Sequence, residues 1–163
     1  QGTMNNLTFG DATWQYYETL CGGTGAGDRY NGQDAVHSHM TNSRLTDPEI
    51  LELRYPVRLT RFAIRKNSGG QGQFQGGNGC ERHFEFLKPM TVSMLSNHRT
   101  VPPYGMAGGE PGKVGKHFVI PADNADQMHQ APRLLNSTVT LKLNAGDTFA
   151  IHTPGGGGYG QIE

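Results

Sequence analysis

Two histidines separated by one residue are the first feature of this sequence that could do chemistry. His37 and His39 flank Ser38, and on a β-strand two residues spaced in this way project from the same face. Two imidazoles on one face could bind a Zn²⁺ or Mn²⁺ ion, or could act as catalytic groups near neutral pH. They could equally hydrogen-bond to neighbouring strands and have no part in chemistry. The spacing makes both histidines candidates for catalysis and for metal binding.

Polar side chains follow directly after this pair. The amide of Asn42 could hydrogen-bond to a substrate amide, and the guanidinium of Arg44 could bind a carboxylate through two parallel hydrogen bonds. Both residues are therefore candidates for substrate binding. The alternative is that Arg44 pairs with Asp47 or Glu49 and orders the start of the helix that follows.

Two residues and a glycine-rich segment upstream complete the set of chemical candidates. Glu18 could act as a general base, or could have only a surface or hydrogen-bonding role. Cys21 could be a nucleophile beside a histidine, although a lone buried cysteine is more often a small core residue. Residues 22–27 read GGTGAG, and their N–H groups could cradle a phosphate, but they match neither a P-loop nor a GxGxxG motif. A tight structural turn is the favoured interpretation of these glycines.

Charge and cysteine content exclude several classes of partner. Fourteen basic residues balance fourteen acidic ones, so the chain lacks the positive charge with which proteins bind nucleic acids or anionic membranes. The sequence has no apolar run of the ~20 residues needed to span a membrane. Cys21 and Cys80 show neither metal-ligand spacing nor the density of a disulfide-rich domain, which indicates reduced thiols and a cytoplasmic protein. We therefore expect neither nucleic-acid nor membrane partners.

The amount of apolar side chain is small for a chain of 163 residues, which has room for one domain. Leu, Ile, Val and Phe together number 31, about 19% of the residues, and this lies near the level at which an independent core becomes doubtful. Glycine, with 24 residues, is about twice as frequent as usual. This composition predicts a segment that packs against something else.

The elements that must position the candidate residues are mostly strands. Residues 1–9 predict a loop followed by a short strand. The pattern of apolar and polar residues also predicts strands at 14–21, 35–40, 57–65 and 117–120, and a strand pair or broken strand at 84–94. The apolar phase changes between Leu59 and Phe62, which predicts a β-bulge or burial on both faces of that strand. One helix is predicted from Pro48 to about Arg54, because Asp47 is a favourable N-cap and proline suits the first helical position.

The C-terminal part of the sequence predicts a hairpin. Val139, Leu141 and Leu143 share one apolar phase with Phe149 and Ile151, on either side of the turn sequence NAGD at 144–147. Residues 68–79 are dominated by glycine and form either a linker or a set of ordered tight turns. The sequence therefore predicts a mainly β fold of antiparallel strands and hairpins, with one short helix at about 48–54 and glycine-rich loops; the family resemblance described below implies that this fold is part of a larger α+β subunit.

Several long motifs in this sequence resemble those of one protein family. Residues 37–49, HSHMTNSRLTDPE, are similar to the HSHMTNTRITDPE segment of 5-oxoprolinases, with Ser43 and Leu45 as departures. Shorter matches lie at 2–6 (GTMNN), 16–19 (YYET), 50–57 (ILELRYPV) and 152–160 (HTPGGGGYG). Because these matches extend over nearly the whole chain, residues 1–163 are identified as one segment, the C-terminal portion of a subunit or domain of the 5-oxoprolinase/hydantoinase B family.

The resemblance implies a reaction and its cofactors. 5-Oxoprolinases couple ATP hydrolysis to the opening of the lactam ring of 5-oxo-L-proline, which gives L-glutamate in glutathione metabolism. The hydantoinase A-like half handles ATP and the hydantoinase B-like half opens the ring, so Asn42 and Arg44 would face the lactam amide and the substrate carboxylate. ATP and a divalent metal are implied for the complete enzyme but neither is implied for this segment, which alone should be inactive.

The resemblance also implies partners and an alternative function. The partners are a hydantoinase A-like ATP-handling domain or subunit and the rest of the hydantoinase B-like chain, within an oligomer. The family also contains subunits of N-methylhydantoinases and of acetone and acetophenone carboxylases. The alternative is therefore a non-catalytic structural module of one of those proteins, which would buttress the catalytic part or form subunit contacts.

Overall fold

Nine strands and one short helix make up the part of the chain that the computed structural model describes, which is residues 2, 4–38, 41, 43–122 and 131–162. The strands are β1 (Asn5–Gly10), β2 (Gln15–Leu20), β3 (Val57–Arg65), β4 (Gly79–Phe86), β5 (Met90–Leu95), β6 (Lys116–Ile120), β7 (Arg133–Leu134), β8 (Thr138–Leu143) and β9 (Thr148–His152). The helix, α1, spans Pro48–Arg54. No helix within these ranges is long and apolar enough to cross a membrane.

The strands form two sheets. The first sheet has the order β2-β1-β5-β8, and the second sheet has the order β3-β4-β9-β6-β7. Every pairing between the described strands is antiparallel, which confirms the predicted mainly β fold with one short helix. Strands β4 and β9 lie inside the second sheet and are paired on both sides.

An aromatic core fills the space between the two sheets. Phe9 of the first sheet lies 5.7 Å from Phe84 and 5.4 Å from Phe86 of the second sheet, measured between ring centroids. Tyr16 packs on Phe9 at 4.8 Å, and Phe149 is fully buried nearby in the same cluster. Full burial of one such side chain stabilises a fold by roughly 1.5–3 kcal/mol. These five rings are called the aromatic core below.

The apolar phase shared by residues 84–94 belongs to two strands that face the same core from opposite sheets. Phe84 and Phe86 lie on β4 in the second sheet, whereas Met90, Val92 and Met94 lie on β5 in the first. All five side chains are buried. The chain therefore crosses from the second sheet to the first at 87–89, and the even-numbered side chains point into the core on both sides of the crossing.

The predicted C-terminal hairpin is wrong, although its turn forms. β8 pairs with β5 in the first sheet, and β9 pairs with β4 and β6 in the second, so these two strands do not pair with each other. The carboxylate of Asp147 accepts from the backbone N–H of Asn144 at 2.9 Å and closes the connection. Apolar residues at odd positions of both strands show only that both strands face the same core. Here β8 and β9 face that core from opposite sheets.

Helix α1 begins and ends where the sequence predicts. The carboxylate of Asp47 accepts a hydrogen bond from the backbone N–H of Glu49 at 2.9 Å, and Leu51 is the buried residue of the helix. The bulge in β3 is also confirmed, because the register with β4 shifts between Leu59 and Arg61. Both features are decided by neighbouring residues in the sequence.

The strand predicted over 35–40 is wrong in its described part. Val36 makes a single antiparallel bridge to Gly22, and His37 and Ser38 belong to no strand. Ala35 has a φ of +44°, a backbone conformation that an extended strand does not contain. Residues 39 and 40 lie outside the described residues.

A second packed region consists almost entirely of backbone. Residues 22–27, 68–79, 103–115 and 153–160, called the glycine layer below, are joined to one another by backbone hydrogen bonds. The N–H of Gly77 donates to the carbonyl of Thr24, and the N–H of Gly156 donates to the carbonyl of Gly77, both at 2.8 Å. A Cβ atom at Gly156 would overlap the Thr24 carbonyl oxygen, so the segments approach too closely for a side chain. Residues 68–79 are therefore a packed part of the fold and not a linker.

Candidate functional site

Glu18 and Arg82 form a buried ion pair beneath the segment that contains most of the predicted site residues. Glu18 lies on β2 of the first sheet and Arg82 on β4 of the second. The guanidinium Nε and Nη2 donate to the two carboxylate oxygens at 2.8 and 2.9 Å. Both side chains are almost wholly shielded from solvent. Because a buried charge is strongly unfavourable without a partner, this pair ties the two sheets together.

Tyr16 and Thr46 extend the pair into a hydrogen-bond network. The hydroxyl of Tyr16 donates to Oε2 of Glu18 at 2.6 Å and lies 2.8 Å from Oγ1 of Thr46. Burial, followed by the Glu18 carboxylate, raises the pKa of Tyr16 above its ordinary value, so the phenol remains a donor. The carbonyl of Thr46 also lies 3.5 Å from Nη2 of Arg82. The segment that leads into helix α1 is therefore attached to the Glu18–Arg82 pair.

Arg82 was not predicted as a site residue, although the strand pattern contains a signal for it. Arg82 stands between Cys80 and Phe84 in the buried phase of β4. Glu18 occupies the buried phase of β2 in the same way. Since charged residues are rarely buried unless they are paired, two opposite charges in buried strand phases indicate that they contact each other.

His37 lies near this pair, and its ring nitrogens have no hydrogen-bond partner among the described residues. The residue is half-buried, but neither Nδ1 nor Nε2 is exposed to solvent. Burial lowers the pKa of His37 below its ordinary value, and the charge of Glu18 opposes that shift. Nη1 of Arg82 is likewise buried without a partner in the described chain. The two ring nitrogens of His37 and Nη1 of Arg82 therefore lack a hydrogen-bond partner of normal geometry among the described residues, although the backbone of Thr41 lies close enough to His37 to oppose the lowering of its pKa.

Arg44 is exposed at the end of the same segment. Among the described residues, no ion pair joins it to Asp47 or Glu49. His39 and Asn42 lie outside the described residues. The roles suggested for these three residues stay predictions.

Cys21 is a buried thiol beside a second one. Its Sγ atom lies 3.7 Å from Sγ of Cys80, and both cysteines are free. The hydrogen bond with Cys80, together with burial, raises the pKa of Cys21 well above its ordinary value. Because the thiolate is the nucleophilic form, these properties support the interpretation of Cys21 as a small core residue.

The glycine-rich segment 22–27 does not fit ATP, which the family resemblance implies for the complete enzyme. Its N–H groups already donate inside the protein, from Gly23 to the carbonyl of Pro154 at 3.1 Å and from Ala26 to that of Gly157 at 2.9 Å. A phosphate cradle needs several N–H groups that point at the ligand. The segment is therefore a structural turn within the glycine layer.

The described residues around His37 do not fit a divalent metal ion either. His37 could supply one nitrogen ligand, but both oxygens of Glu18 are bound to Arg82. Divalent ions in proteins take four or more donor atoms. The metal implied for the complete enzyme is therefore not assigned to these residues.

Two large clefts lie away from this segment. One, of about 580 Å³, is lined by residues of β1, β5 and β8 at the end of the first sheet. The other, of about 370 Å³, borders the glycine layer beside Tyr104 and Met106. Neither cleft is lined by Glu18, His37 or Arg44, so the predicted site residues are not gathered around a cleft within the described chain.

Comparison with known proteins gives this arrangement a family context. The family model for hydantoinase B/oxoprolinase matches residues 1–162. The 5-oxoprolinase of Dictyostelium discoideum is 48% identical over 163 residues, which is 100% of this chain. 5-Oxoprolinase 1 of Arabidopsis thaliana is 50% identical over 161 residues, which is 99% of this chain. The chain spans 12% of the length of each of these relatives.

A solved structure shares the fold. The crystal structure of the ATP-dependent caprolactamase from Pseudomonas jessenii is similar with a TM-score of 0.79 at 26% sequence identity. The match covers 96% of this chain and 28% of the caprolactamase chain. The two-sheet arrangement described above is therefore also found as one segment of a larger protein.

Proposed function

The chain belongs to the hydantoinase B/oxoprolinase family, and from that premise we propose that it is the C-terminal portion of an ATP-dependent lactam hydrolase that opens 5-oxo-L-proline to L-glutamate. The observation that carries this proposal is the identity of 48–50% with two 5-oxoprolinases over nearly the whole chain. The likeness to a caprolactamase supports a cyclic amide as the substrate class.

In this proposal, ATP is bound by a hydantoinase A-like domain or subunit. The support is that four of the six N–H groups of 22–27, those of Gly23, Thr24, Ala26 and Gly27, already donate to carbonyl groups of the protein. The rest of the hydantoinase B-like chain would supply the divalent metal site, because the described residues around His37 offer a single free ligand. We place the complete enzyme in the cytoplasm as an oligomer, with a role in glutathione metabolism.

The contribution of this chain to ring opening would come from the segment after His37. Arg44 would bind the carboxylate of 5-oxo-L-proline, Asn42 would bond the lactam amide, and His37 and His39 would act beside the reacting ring. A carboxylate that is bonded through both oxygens to a guanidinium is poorly placed to accept a proton. We therefore assign Glu18 a positioning role, in which it holds the segment through Tyr16 and Thr46.

The test of the reaction uses the whole protein with its hydantoinase A-like partner. We expect the enzyme to form glutamate from 5-oxo-L-proline and ADP from ATP. Both products are measured after chromatographic separation. Hydantoins, caprolactam, and acetone with bicarbonate serve as parallel substrates. Residues 1–163 alone should form no glutamate, and turnover of acetone or a hydantoin in place of 5-oxo-L-proline would overturn the proposal.

Variants of the segment test which residues meet the substrate. Arg44→Ala should lower kcat/KM by about 10–100-fold, mostly through KM, since a hydrogen bond to a charged group contributes about 1.5–3 kcal/mol. The matched control is Arg54→Ala, which removes an exposed arginine at the end of helix α1 and should leave kcat/KM within about twofold of the unchanged enzyme. Equal losses in both variants would remove Arg44 from the site.

A second variant pair tests the histidine. His37→Ala should lower kcat by about 10²-fold, as expected for a group that transfers a proton or touches a reacting atom. His98→Asn is the control, because His98 lies on another segment with a φ of +50° that asparagine tolerates. If His37→Ala instead melts much earlier and keeps its kcat when folded, the segment is structural.

The alternative is a non-catalytic module of an N-methylhydantoinase or of an acetone or acetophenone carboxylase. The observation in its favour is that the buried polar residues Glu18 and Arg82 form hydrogen bonds with each other and do not face an open cleft. Under this alternative, all variants of the segment would change stability and none would change kcat once the protein is folded.

A further inference from the structure

The outer face of the second sheet, which points away from the aromatic core, contains a cluster of metal-ligating side chains. We propose that Glu81, His83 and His152 bind one divalent transition-metal ion of the Zn²⁺ type. The three residues lie outside the predicted site; Glu81 and His83 also lie outside the motifs used to recognise the family, whereas His152 is the first residue of the motif at 152–160. This inference does not depend on the proposed lactam hydrolysis.

The strand register brings these residues together on a rigid support. Glu81 on β4 lies opposite His152 on β9. His83 is two residues further along β4, so it projects from the same face as Glu81. Both strands lie inside the second sheet and are paired on both sides. Ligands on paired inner strands are held more firmly than ligands on loops.

The distances suit a metal ion without movement of the backbone. One ligand atom from each residue lies within 4.8 Å of the other two, and Nε2 of His83 lies 3.1 Å from Nε2 of His152. Two nitrogen ligands at about 2.0–2.1 Å from a tetrahedral ion are separated by roughly 3.3 Å. The ring of Phe118 meets His152 edge-on at 5.5 Å between centroids and helps to fix its orientation.

The ligand chemistry narrows the choice of ion. Two imidazoles and one carboxylate suit Zn²⁺ and neighbouring transition metals, whereas Mg²⁺ and Ca²⁺ prefer sites made of oxygen ligands. At a separation of 3.1 Å, two N–H groups could not point at each other, so at least one nitrogen must present a lone pair. Water would complete the coordination, because all three residues are only half-buried.

Arg61 competes with the ion for the carboxylate. Its Nε donates to Oε2 of Glu81, and its side chain is 51% exposed, so it can turn into solvent when an ion enters. Arg65 also lies near His152, but it is held by the carbonyls of Val114 and Thr153 and stays in place. Removal of Arg61 should therefore strengthen metal binding, whereas removal of a histidine should abolish it.

The test measures metal binding to the whole protein after a chelator has stripped it of metal. We titrate ZnCl₂ by calorimetry, count Zn²⁺ per chain after gel filtration, and repeat the titration with Co²⁺, whose visible absorption reports tetrahedral coordination. His83→Asn and His152→Asn should each bind one ion fewer per chain than the unchanged protein. Arg61→Ala should bind that ion about tenfold more tightly, as expected for removal of one nearby positive charge.

Glu85→Gln is the matched control. Glu85 lies on the same face of β4, two residues beyond His83, and pairs with Arg58 at 3.2 Å, so this variant changes an equivalent ion pair and should bind Zn²⁺ like the unchanged protein. Thermal melting in the absence of metal shows whether each variant is folded. The proposal is overturned if the histidine variants bind as many ions as the unchanged protein, or if Arg61→Ala binds no more tightly.

Discussion

The aromatic core and the glycine layer differ in which atoms make the contacts. In the core, side chains fill the space between two sheets, as where Phe9 and Phe84 pack at 5.7 Å between centroids. In the glycine layer, backbone meets backbone, as where the N–H of Gly77 donates to the carbonyl of Thr24 at 2.8 Å. Loss of side-chain atoms should therefore damage the core, and addition of side-chain atoms should damage the layer.

This difference also explains the composition of the chain. The 31 large aliphatic residues and phenylalanines are few for the length, but a layer packed through its backbone needs no large apolar side chains. Backbone hydrogen bonds each contribute about 0.5–1.5 kcal/mol net, and the layer contains many of them. A low apolar content is therefore compatible with two packed regions in one chain.

The largest expected effect tests the glycine layer. Gly156→Ala should destabilise the protein by more than about 4 kcal/mol, because the new methyl group would overlap the backbone carbonyl of Thr24, which cannot move aside as a flexible side chain could. The control is Gly25→Ala in the same layer, where the added Cβ would have its nearest neighbour at 3.8 Å. That variant should stay within about 1 kcal/mol of the unchanged protein. Urea denaturation of both variants measures the difference, and similar losses would contradict the comparison.

The second test removes side-chain volume, where the first added it, and is directed at the aromatic core. Phe84→Ala should cost about 3–5 kcal/mol, because it removes a fully buried ring from between the sheets. Leu53→Ala is the control, since Leu53 on helix α1 is 82% exposed and its loss should cost less than about 0.5 kcal/mol. The free energies of unfolding come from the same urea titrations. If Phe84→Ala lowered the free energy of unfolding as little as Leu53→Ala, the aromatic core would not depend on close side-chain packing.

Local features of the fold could be predicted from the sequence because adjacent residues decide them. Asp47 and Pro48 determine the start of helix α1, and the phase change after Leu59 determines the bulge in β3. The choice of partner strand could not be predicted in this way. β8 and β9 have the alternation and the turn of a hairpin, but β8 pairs with β5, more than forty residues earlier in the sequence, and β9 pairs with β4 and β6 of the other sheet.

The candidate site was predictable in part for the same reason. His37 and Arg44 were proposed as site residues from a contiguous motif, and their roles stay predictions; the described structure leaves His37 half-buried and Arg44 exposed. Arg82 belongs to the network of Glu18, Tyr16 and Thr46 but lies 64 residues from Glu18 in sequence, so no local spacing links the two charges. The fold brings them together because each occupies a buried strand phase and needs an opposite charge.

A third test measures how the stability of the aromatic core depends on protonation of a histidine that packs against it. His117 is buried against Phe149, and burial, followed by the charge of Arg99, lowers the pKa of His117 to about 4. The Nδ1 atom accepts a hydrogen bond from Nε of Arg99 at 3.3 Å, so Nε2 carries the proton that is donated to the carbonyl of Asn136. Protonation of Nδ1 would remove the first bond and set two positive charges against each other.

The sign of the pH dependence follows from this lowered pKa. The unfolded chain, with an ordinary histidine pKa near 6.5, takes up the proton first as the pH falls, so the stability from His117 is fully present above about pH 6.5 and is lost toward pH 4. His117→Gln should reduce the loss of unfolding free energy between pH 7 and pH 4 by on the order of 2 kcal/mol. Parallel pH profiles for variant and unchanged protein would show that the residue does not titrate in this range.

The smallest expected effect concerns helix α1, which belongs to neither packed region except through Leu51. Asp47→Ala removes the acceptor for the N–H of Glu49 and should cost about 1 kcal/mol, the usual contribution of an N-cap. Asp47→Ser keeps a capping oxygen and should recover most of that loss. Urea denaturation at pH 7 measures both variants.

Because the cap touches neither the aromatic core nor the glycine layer, the loss should add to that of Phe84→Ala within about 0.5 kcal/mol in the double variant. A larger departure from additivity would mean that the helix and the aromatic core form one cooperative unit through Leu51, and that the division of the molecule into two independently packed regions must be redrawn to include the helix.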